Sequence, residues 1–313
     1  MHPTSGPRDD RVGLIYAAIA AIIYGAAYPA TAIALRSFTP LGIAALACTL
    51  ALPVVIGLAA MGWLPAPSIA GLDRPRLLRL VVLSALGGIV FIAAINVAVA
   101  LSGPTITGFV APLYAVAAAL LAVPLLGERV RGSTIIAFAV AIAGTVLLAG
   151  GVPDTDSLVG AAMALAGALC FGLYIVLARR WSRRYSLDGT LVTIGNLIGR
   201  GPILVVVELV RAPGLLLPAA PDPAAVIALL SIALGSSSTA NLLLMASVRR
   251  VAAGRTSAVL LLTPISSALF AAALLQDLLA PIQLVGAGLI LAGIAVTSGI
   301  GRLGRGAARL GGG

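Results

Sequence analysis

Stretches of about 20 apolar residues, nearly free of charge, recur along this chain, and each is long enough to cross the hydrocarbon core of a bilayer as a helix. Breaks at proline, glycine and charge clusters delimit ten of them: 12–35, 40–63, 77–101, 104–126, 132–151, 157–178, 188–210, 223–247, 254–275 and 281–300. Composition points the same way. Of 313 residues, 60% are apolar and 10% charged, where a soluble domain carries about 25% charged residues. So few charges cannot coat a soluble surface of this size. A soluble enzyme, a nucleic-acid binder and a disordered chain are excluded. The fold class expected is an all-α polytopic membrane protein.

The net charge of +10 comes entirely from arginine on the basic side, since lysine is absent. On a soluble chain such an excess would point to nucleic acid. Here its placement gives topology instead. Seventeen arginines fall in the two tails and in the loops after the even-numbered spans, among them Arg74, Arg76, Arg79, Arg129, Arg131, Arg179, Arg180, Arg249 and Arg250. Only Arg36 and Arg211 fall on the other side, and Arg200 lies inside the seventh span. The positive-inside rule then places both termini in the cytoplasm. The polar start, Met1 to Arg11, lacks an apolar stretch with a small-residue cleavage site, so no signal peptide is expected. The only histidine is His2, and Cys48 and Cys170 lie far apart in apolar runs. No cofactor, metal site or disulfide framework is expected.

The halves repeat. Gly25 and Gly172 match at an offset of 147, Glu128 and Asp277 at 149, and the third and eighth spans at about 148. Thr107-Gly108 matches Thr256-Ser257. Five spans is an odd number, so the second copy enters the membrane from the opposite side, and the halves are inverted. Secondary transporters recurrently have this architecture, with the substrate site near the midplane between the repeats. The expected organisation is a cytoplasmic tail 1–11, a first five-helix repeat 12–151, an external linker 152–156, a second five-helix repeat 157–300 and a cytoplasmic tail 301–313.

Two hairpins carry a family resemblance. The first reads Phe109-Val110-Ala111-Pro112, then Val123-Pro124-Leu125-Leu126-Gly127-Glu128-Arg129. The second reads Leu262-Thr263-Pro264-Ile265, then Leu275-Gln276-Asp277 and Pro281-Ile282-Gln283-Leu284-Val285-Gly286-Ala287-Gly288-Leu289-Ile290-Leu291-Ala292-Gly293. Both resemble the EamA repeat of the drug/metabolite transporter superfamily, over nearly the whole chain, about 12–300. The resemblance implies ten helices in two inverted units around a central cavity flanked by the third and eighth helices. The chain departs from the pattern in places. Pro112 is three residues early relative to Glu128, Asp277 stands for Glu, Gln276 for Gly, and Ala47 stands where relatives often carry Arg.

Polar side chains inside the spans are the candidate site residues, because each is costly in hydrocarbon unless it faces the interior or a cavity. Arg200 sits mid-span, where an Arg costs about 2.5–3.5 kcal/mol on insertion scales. It is expected either to pair with Glu208, two turns on, or to face the pathway and attract an anionic group. Asn96 and Asn241 are nearly symmetry-related, and Asn241 follows the run Ser236-Ser237-Ser238-Thr239. They serve either helix packing or hydrogen bonding to substrate. Tyr24 and Tyr28 share a helix face, and Tyr114 and Tyr174 also fall at mid-depth, where interfacial anchoring does not explain them. Tyr16 and Tyr185, near span ends, fit anchoring. Pro29, Pro53, Pro112, Pro202 and Pro264 fall inside spans and favour kinks. Glu128 and Asp277 are expected to serve helix dipoles and turn amides. The candidate substrate-binding set is Tyr24, Tyr28, Asn96, Tyr114, Tyr174, Arg200, Ser237 and Asn241.

Apart from Asp188 at the first residue of its span, Glu208 is the only acid inside a span and is off-centre, which disfavours proton-coupled export of organic cations. A nucleotide sugar needs several cationic groups, and only Arg200 is at hand. An intramembrane enzyme would need an acid–base pair or metal cluster. The expected function is alternating-access transport of a small-molecule substrate across the cytoplasmic membrane, as an exporter of amino acids or related neutral or zwitterionic metabolites. The alternatives are an organic-cation exporter and a non-transporting sensor or scaffold. The expected partners are the substrate and the lipid bilayer, not nucleic acid. The Gly-rich faces at Gly286, Gly288 and Gly293 would permit dimers.

Overall fold

In hydrocarbon no water is present to satisfy backbone N–H and C=O groups, so an apolar crossing closes its hydrogen bonds within itself as a helix. A computed structural model of the chain describes residues 7–62, 73–127, 132–148, 155–185, 189–211, 214, 216–250, 259–260 and 262–297, and every regular element among them is helical. In chain order these are α1 (Pro7–Ala34), α2 (Pro40–Ala60), α3 (Arg74–Leu83), α4 (Phe91–Val110), α5 (Tyr114–Leu126), α6 (Gly132–Leu148), α7 (Thr155–Tyr185), α8 (Gly189–Arg211), α9 (Pro223–Ser231), α10 (Asn241–Arg250), α11 (Leu262–Leu275) and α12 (Pro281–Thr297). A π-helical segment, Ser84–Val90, joins α3 to α4, and another, Ile232–Ala240, joins α9 to α10. His2, Glu128, Thr256, Ser257 and the tail 301–313 lie outside the described residues.

Six helical stretches among the described residues are long and apolar enough to cross a bilayer: Arg11–Ala34, Pro40–Leu58, Arg74–Leu126, Thr155–Ala178, Leu191–Arg211 and Pro223–Leu244. Shorter apolar helices cover Ala139–Leu148, Leu262–Leu275 and Pro281–Ala295. The chain is thus a multi-pass helical membrane protein. Its outward surface is correspondingly apolar, with Ile15, Ile136, Val210 and Leu269 all exposed.

The stretch Arg74–Leu126 runs for 53 residues. As one straight helix it would be about 80 Å long, well over twice the hydrocarbon thickness of about 30 Å. It breaks at Gly103, whose φ of 80° and ψ of 169° suit only glycine. Pro104 follows and cannot donate to the preceding turn. Both arms then lie along α7.

Helix neighbours are preserved when the halves are exchanged. Helix α1 packs on α11 and on the α9–π–α10 unit, while α7 packs on α5 and on the α3–π–α4 unit. Helix α2 packs on α8, and α6 on α12. The contacts are close because the residues are small. A Cβ on Gly25 would lie 2.6 Å from Ser266 Cβ, and one on Gly172 would lie 2.8 Å from Ala117 Cβ. Between α6 and α12, a Cβ on Gly144 would lie 2.7 Å from the Gly286 carbonyl oxygen. Gly286 is therefore spent on packing inside the chain, whereas Gly288 faces open space.

The prolines act unevenly. Pro29, Pro53 and Pro202 sit within α1, α2 and α8, but Pro112 lies in a 3₁₀ turn, Ala111–Leu113, and Pro264 is the third residue of α11. A proline in the first turn displaces no helical hydrogen bond, so Pro264 makes no kink.

The ends of α5 and α11 show what one substitution in the repeat costs. Gly127 closes α5 in the left-handed region at φ 69°. Gln276, at the matching position, takes φ 57°, and it is the only non-glycine with positive φ among the described residues. A side chain there costs about 1–2 kcal/mol. Gln276→Gly should therefore raise the unfolding free energy by about 1 kcal/mol, read as a higher midpoint of thermal denaturation in detergent. Gly172→Leu should lower that midpoint by forcing α7 off α5.

Candidate functional site

The two π segments begin 148 positions apart, at Ser84 and Ile232. A π turn holds more residues than an α turn and is found frequently at functional sites. Here both are built from small residues, and neighbouring helices press large side chains against them. A Cβ on Gly87 would lie 2.6 Å from Tyr174 Cδ2, and one on Gly88 would lie 3.0 Å from Arg200 Cδ. In the other half, a Cβ on Gly235 would lie 3.2 Å from Ile23 Cγ2. The Gly87-Gly88 pair thus makes the space in which Tyr174 and Arg200 sit.

A polar network runs out from the first π segment. Ser84 Oγ reaches the Gly195 carbonyl at 2.9 Å and Asn196 Oδ1 at 3.2 Å. Asn196 Nδ2 donates to the Tyr174 hydroxyl at 3.2 Å. Arg200 lies one turn beyond Asn196 on α8. At the second π segment, Tyr24 donates to Asn241 Oδ1 at 2.8 Å, and Asn241 Nδ2 donates to the Ser237 carbonyl at 3.2 Å. Tyr24 is in electrostatic reach of Tyr28, Tyr114, Tyr174 and Arg200. Seven of the eight sequence candidates, Tyr24, Tyr28, Tyr114, Tyr174, Arg200, Ser237 and Asn241, therefore belong to one constellation. The four tyrosines are half-buried.

Asn96 is elsewhere. It is buried, and its Nδ2 donates to the Pro40 carbonyl at 2.9 Å, fastening α4 to the start of α2. The near-symmetry of Asn96 and Asn241 in sequence does not carry into a shared role.

Arg200 is 7% exposed, and its Nε is a buried nitrogen without a hydrogen-bond partner. The Cys48 thiol lies beside the guanidinium. The expected pairing with Glu208 is not formed. Two turns separate the residues by about 12 Å along the axis. Glu208, buried at the far end of α8, accepts a hydrogen bond from Thr39, whose oxygen also accepts from the Gly42 amide at 2.9 Å. Among the described residues no carboxylate forms an ion pair with Arg200; the two salt bridges are Arg36–Asp222 at 3.8 Å and Arg76–Asp73 at 3.9 Å.

An aromatic wall flanks the site. Phe171 stacks on Phe91 with centroids 4.3 Å apart and on Tyr174 at 5.1 Å, and meets Tyr114 edge-on at 5.0 Å. Phe91, Phe171, Ser84, Asn196 and Cys48 were not among the sequence candidates. Two signals could have found them. Asn196 precedes Arg200 by four residues on one helix face, and Phe171 adjoins the repeat-marking Gly172 in a chain only 4% aromatic.

Polar contacts join the halves at either end of the helices. At the end holding the turn after α1, Asp222 N donates to Ser37 Oγ at 2.8 Å, beside the Arg36–Asp222 pair. Thr105 Oγ1 donates to Asp277 Oδ2 at 2.6 Å, so Asp277 binds the opposite half where turn amides were expected. At the other end, Arg79 lies over the Tyr185 ring at 3.5 Å and Arg250 over the Tyr16 ring at 5.4 Å.

A multi-pass helical membrane protein with duplicated halves meeting at a buried polar constellation has the form of a membrane transporter. The EamA-like transporter family model matches the chain twice, over residues 11–150 and 158–299, and the chain belongs to that family. No curated protein matches it. A solved structure, titled only as a crystal structure of a protein, superposes with a TM-score of 0.66 at 20% identity, covering 93% of this chain and 97% of that one. That likeness concerns the fold.

The hydroxyl of Tyr24 has a partner, whereas that of Tyr28 has none among the described residues. Tyr24→Phe should therefore lower stability by about 0.5–1.5 kcal/mol. Tyr28→Phe should leave the thermal midpoint in detergent near wild type.

Proposed function

We propose that this protein is a secondary transporter with ten crossings in two inverted five-helix halves, and that it moves small metabolites by alternating access. The observation that carries this reading is the exchange of neighbours: each half presents the same helices to the other, and the π segments recur at matching positions. A pair of halves related this way supports two states of similar packing, one open to each face. The membrane is the cytoplasmic one, with both termini inside, as the arginine distribution implies. The solutes we assign are amino acids or related neutral or zwitterionic metabolites, and the direction is export. The lining we assign is Tyr24, Tyr28, Tyr114, Tyr174, Arg200, Ser237 and Asn241, with Asn96 holding α2 and α4 in place. Catalysis is not part of this reading. Organic-cation export is disfavoured, because a cation would meet Arg200 with no carboxylate beside it among the described residues.

The rocking motion has a direct test. Arg36 and Asp222 belong to opposite halves, lie 3.8 Å apart and are exposed. Arg36→Cys combined with Asp222→Cys, joined by a short bifunctional thiol reagent in proteoliposomes, should stop solute flux by more than tenfold, and a reductant-cleavable linker should restore it. Unchanged flux after complete cross-linking would refute alternating access by these halves. Efflux of labelled amino acids from the same proteoliposomes tests the substrate reading, and a reporter fused within 152–156 tests the topology by reporting the external side.

A further inference from the structure

The charge around Arg200 is one-sided among the described residues. Arg200 contributes a cation with a free Nε. The Tyr174 hydroxyl accepts from Asn196, which leaves its own proton to give. The hydroxyls of Tyr28 and Tyr114 have no partner among the described residues. On the acceptor side, Asn241 Oδ1 is taken by Tyr24, and the nearest acid along α8, Glu208, is taken by Thr39. The other described acids outside α1, namely Asp73, Asp156, Asp222 and Asp277, stand at helix ends. Among the described residues the site joins hydroxyls that can donate and a positive charge without a carboxylate partner, walled on one side by the rings of Phe91 and Phe171.

Such a set is complementary to an anion, and least suited to a cation or a hydrogen-bond donor. A guanidinium presents a planar fork that matches the two oxygens of a carboxylate. A further donor, the Tyr174 hydroxyl on α7, adjoins it, since Tyr174 packs on Gly87 and Arg200 on Gly88. The adjoining rings suit an apolar remainder on the same molecule.

We propose that this constellation binds the carboxylate of a small organic acid at Arg200, with Tyr174 as a supporting donor, so that the transported solutes are carboxylates with an apolar, ring-sized body. The inference rests on the transporter reading of the same site and narrows its substrate class. Loading then neutralises a buried charge that the empty site leaves bare.

The test compares benzoate with benzamide, which has the same shape and no charge, on the purified full chain. Benzoate should raise the apparent melting temperature and bind at least about tenfold more tightly than benzamide, the worth of hydrogen bonds to a charged group. Arg200→Gln should erase that difference, and Arg200→Lys should keep only part of it. Tyr174→Phe should weaken benzoate several-fold. Should Arg200→Gln fail to fold, the benzoate–benzamide comparison on wild type and on Tyr174→Phe decides. Equal binding of the two ligands overturns the proposal. So does saturation by chloride that abolishes the benzoate shift, which would mark an inorganic-anion site. Flux of neutral solutes without benzoate–benzamide discrimination defeats this inference and leaves the transporter reading standing. Carboxylate binding through Arg200 without flux of any solute in proteoliposomes does the reverse.

Discussion

Close approach of helix backbones is the constraint on which the rest of this structure depends. Lipid tails are as apolar as the side chains they touch, so burying apolar surface does little to join one helix to another in a bilayer; packing and interhelical hydrogen bonds must do it. That is why glycine recurs at the contacts. Gly25 seats α1 on α11, Gly172 seats α7 on α5, and Gly144 and Gly286 bring α6 and α12 together. The first two contacts are the same contact made twice across the halves, with the halves exchanged. With neighbours fixed at these points, the remaining helices have little choice of where to lie.

The polar constellation follows from that packing. Once α7 and α8 are held against the first π segment, Gly87 and Gly88 leave room for Tyr174 and Arg200. A guanidinium in such a place would ordinarily be matched by an acid. Here α8 supplies its acid two turns away, where Thr39 engages it at the end of the bundle. The division gives the two charges separate tasks. Glu208 ties the turn after α1 to α8, while Arg200 is left with hydroxyls, an amide and a thiol for company.

Much of this was legible in the residues. The multi-pass helical class, the duplication and the family follow from apolar runs and matched motifs, because those signals extend over many residues and tolerate local change. Most candidate side chains were found by depth alone, since tyrosine and arginine at mid-span have few other reasons to be there. Partners were harder. Asn96 looked like the counterpart of Asn241, but sequence position fixes depth and not the direction in which an amide reaches, and Asn96 reaches a carbonyl of α2. Arg200 and Glu208 share a face in sequence, yet axial distance kept them apart. The π segments could not be anticipated at all, since Gly-Gly and Ser-rich runs fit ordinary helices equally well. Asn196, Ser84 and Phe171 became visible only once the helices that bring them together were in place.

The π segments also bear on how this chain tolerates changes in its own length. In an α-helix each residue turns the side chains by about 100°, so one residue gained or lost rotates everything beyond it away from its neighbours. A π turn is a place where an additional residue has been taken up locally while the flanking helices keep their faces. Ser84–Val90 and Ile232–Ala240 are thus the points at which α4 and α10 can be re-phased about their axes relative to α3 and α9. In those two segments the angular setting of Asn241, and of the wall to which Phe91 belongs, is adjustable by chain length as well as by side-chain identity. Copies of the repeat can therefore diverge in length there and still deliver the same faces to the middle of the bundle.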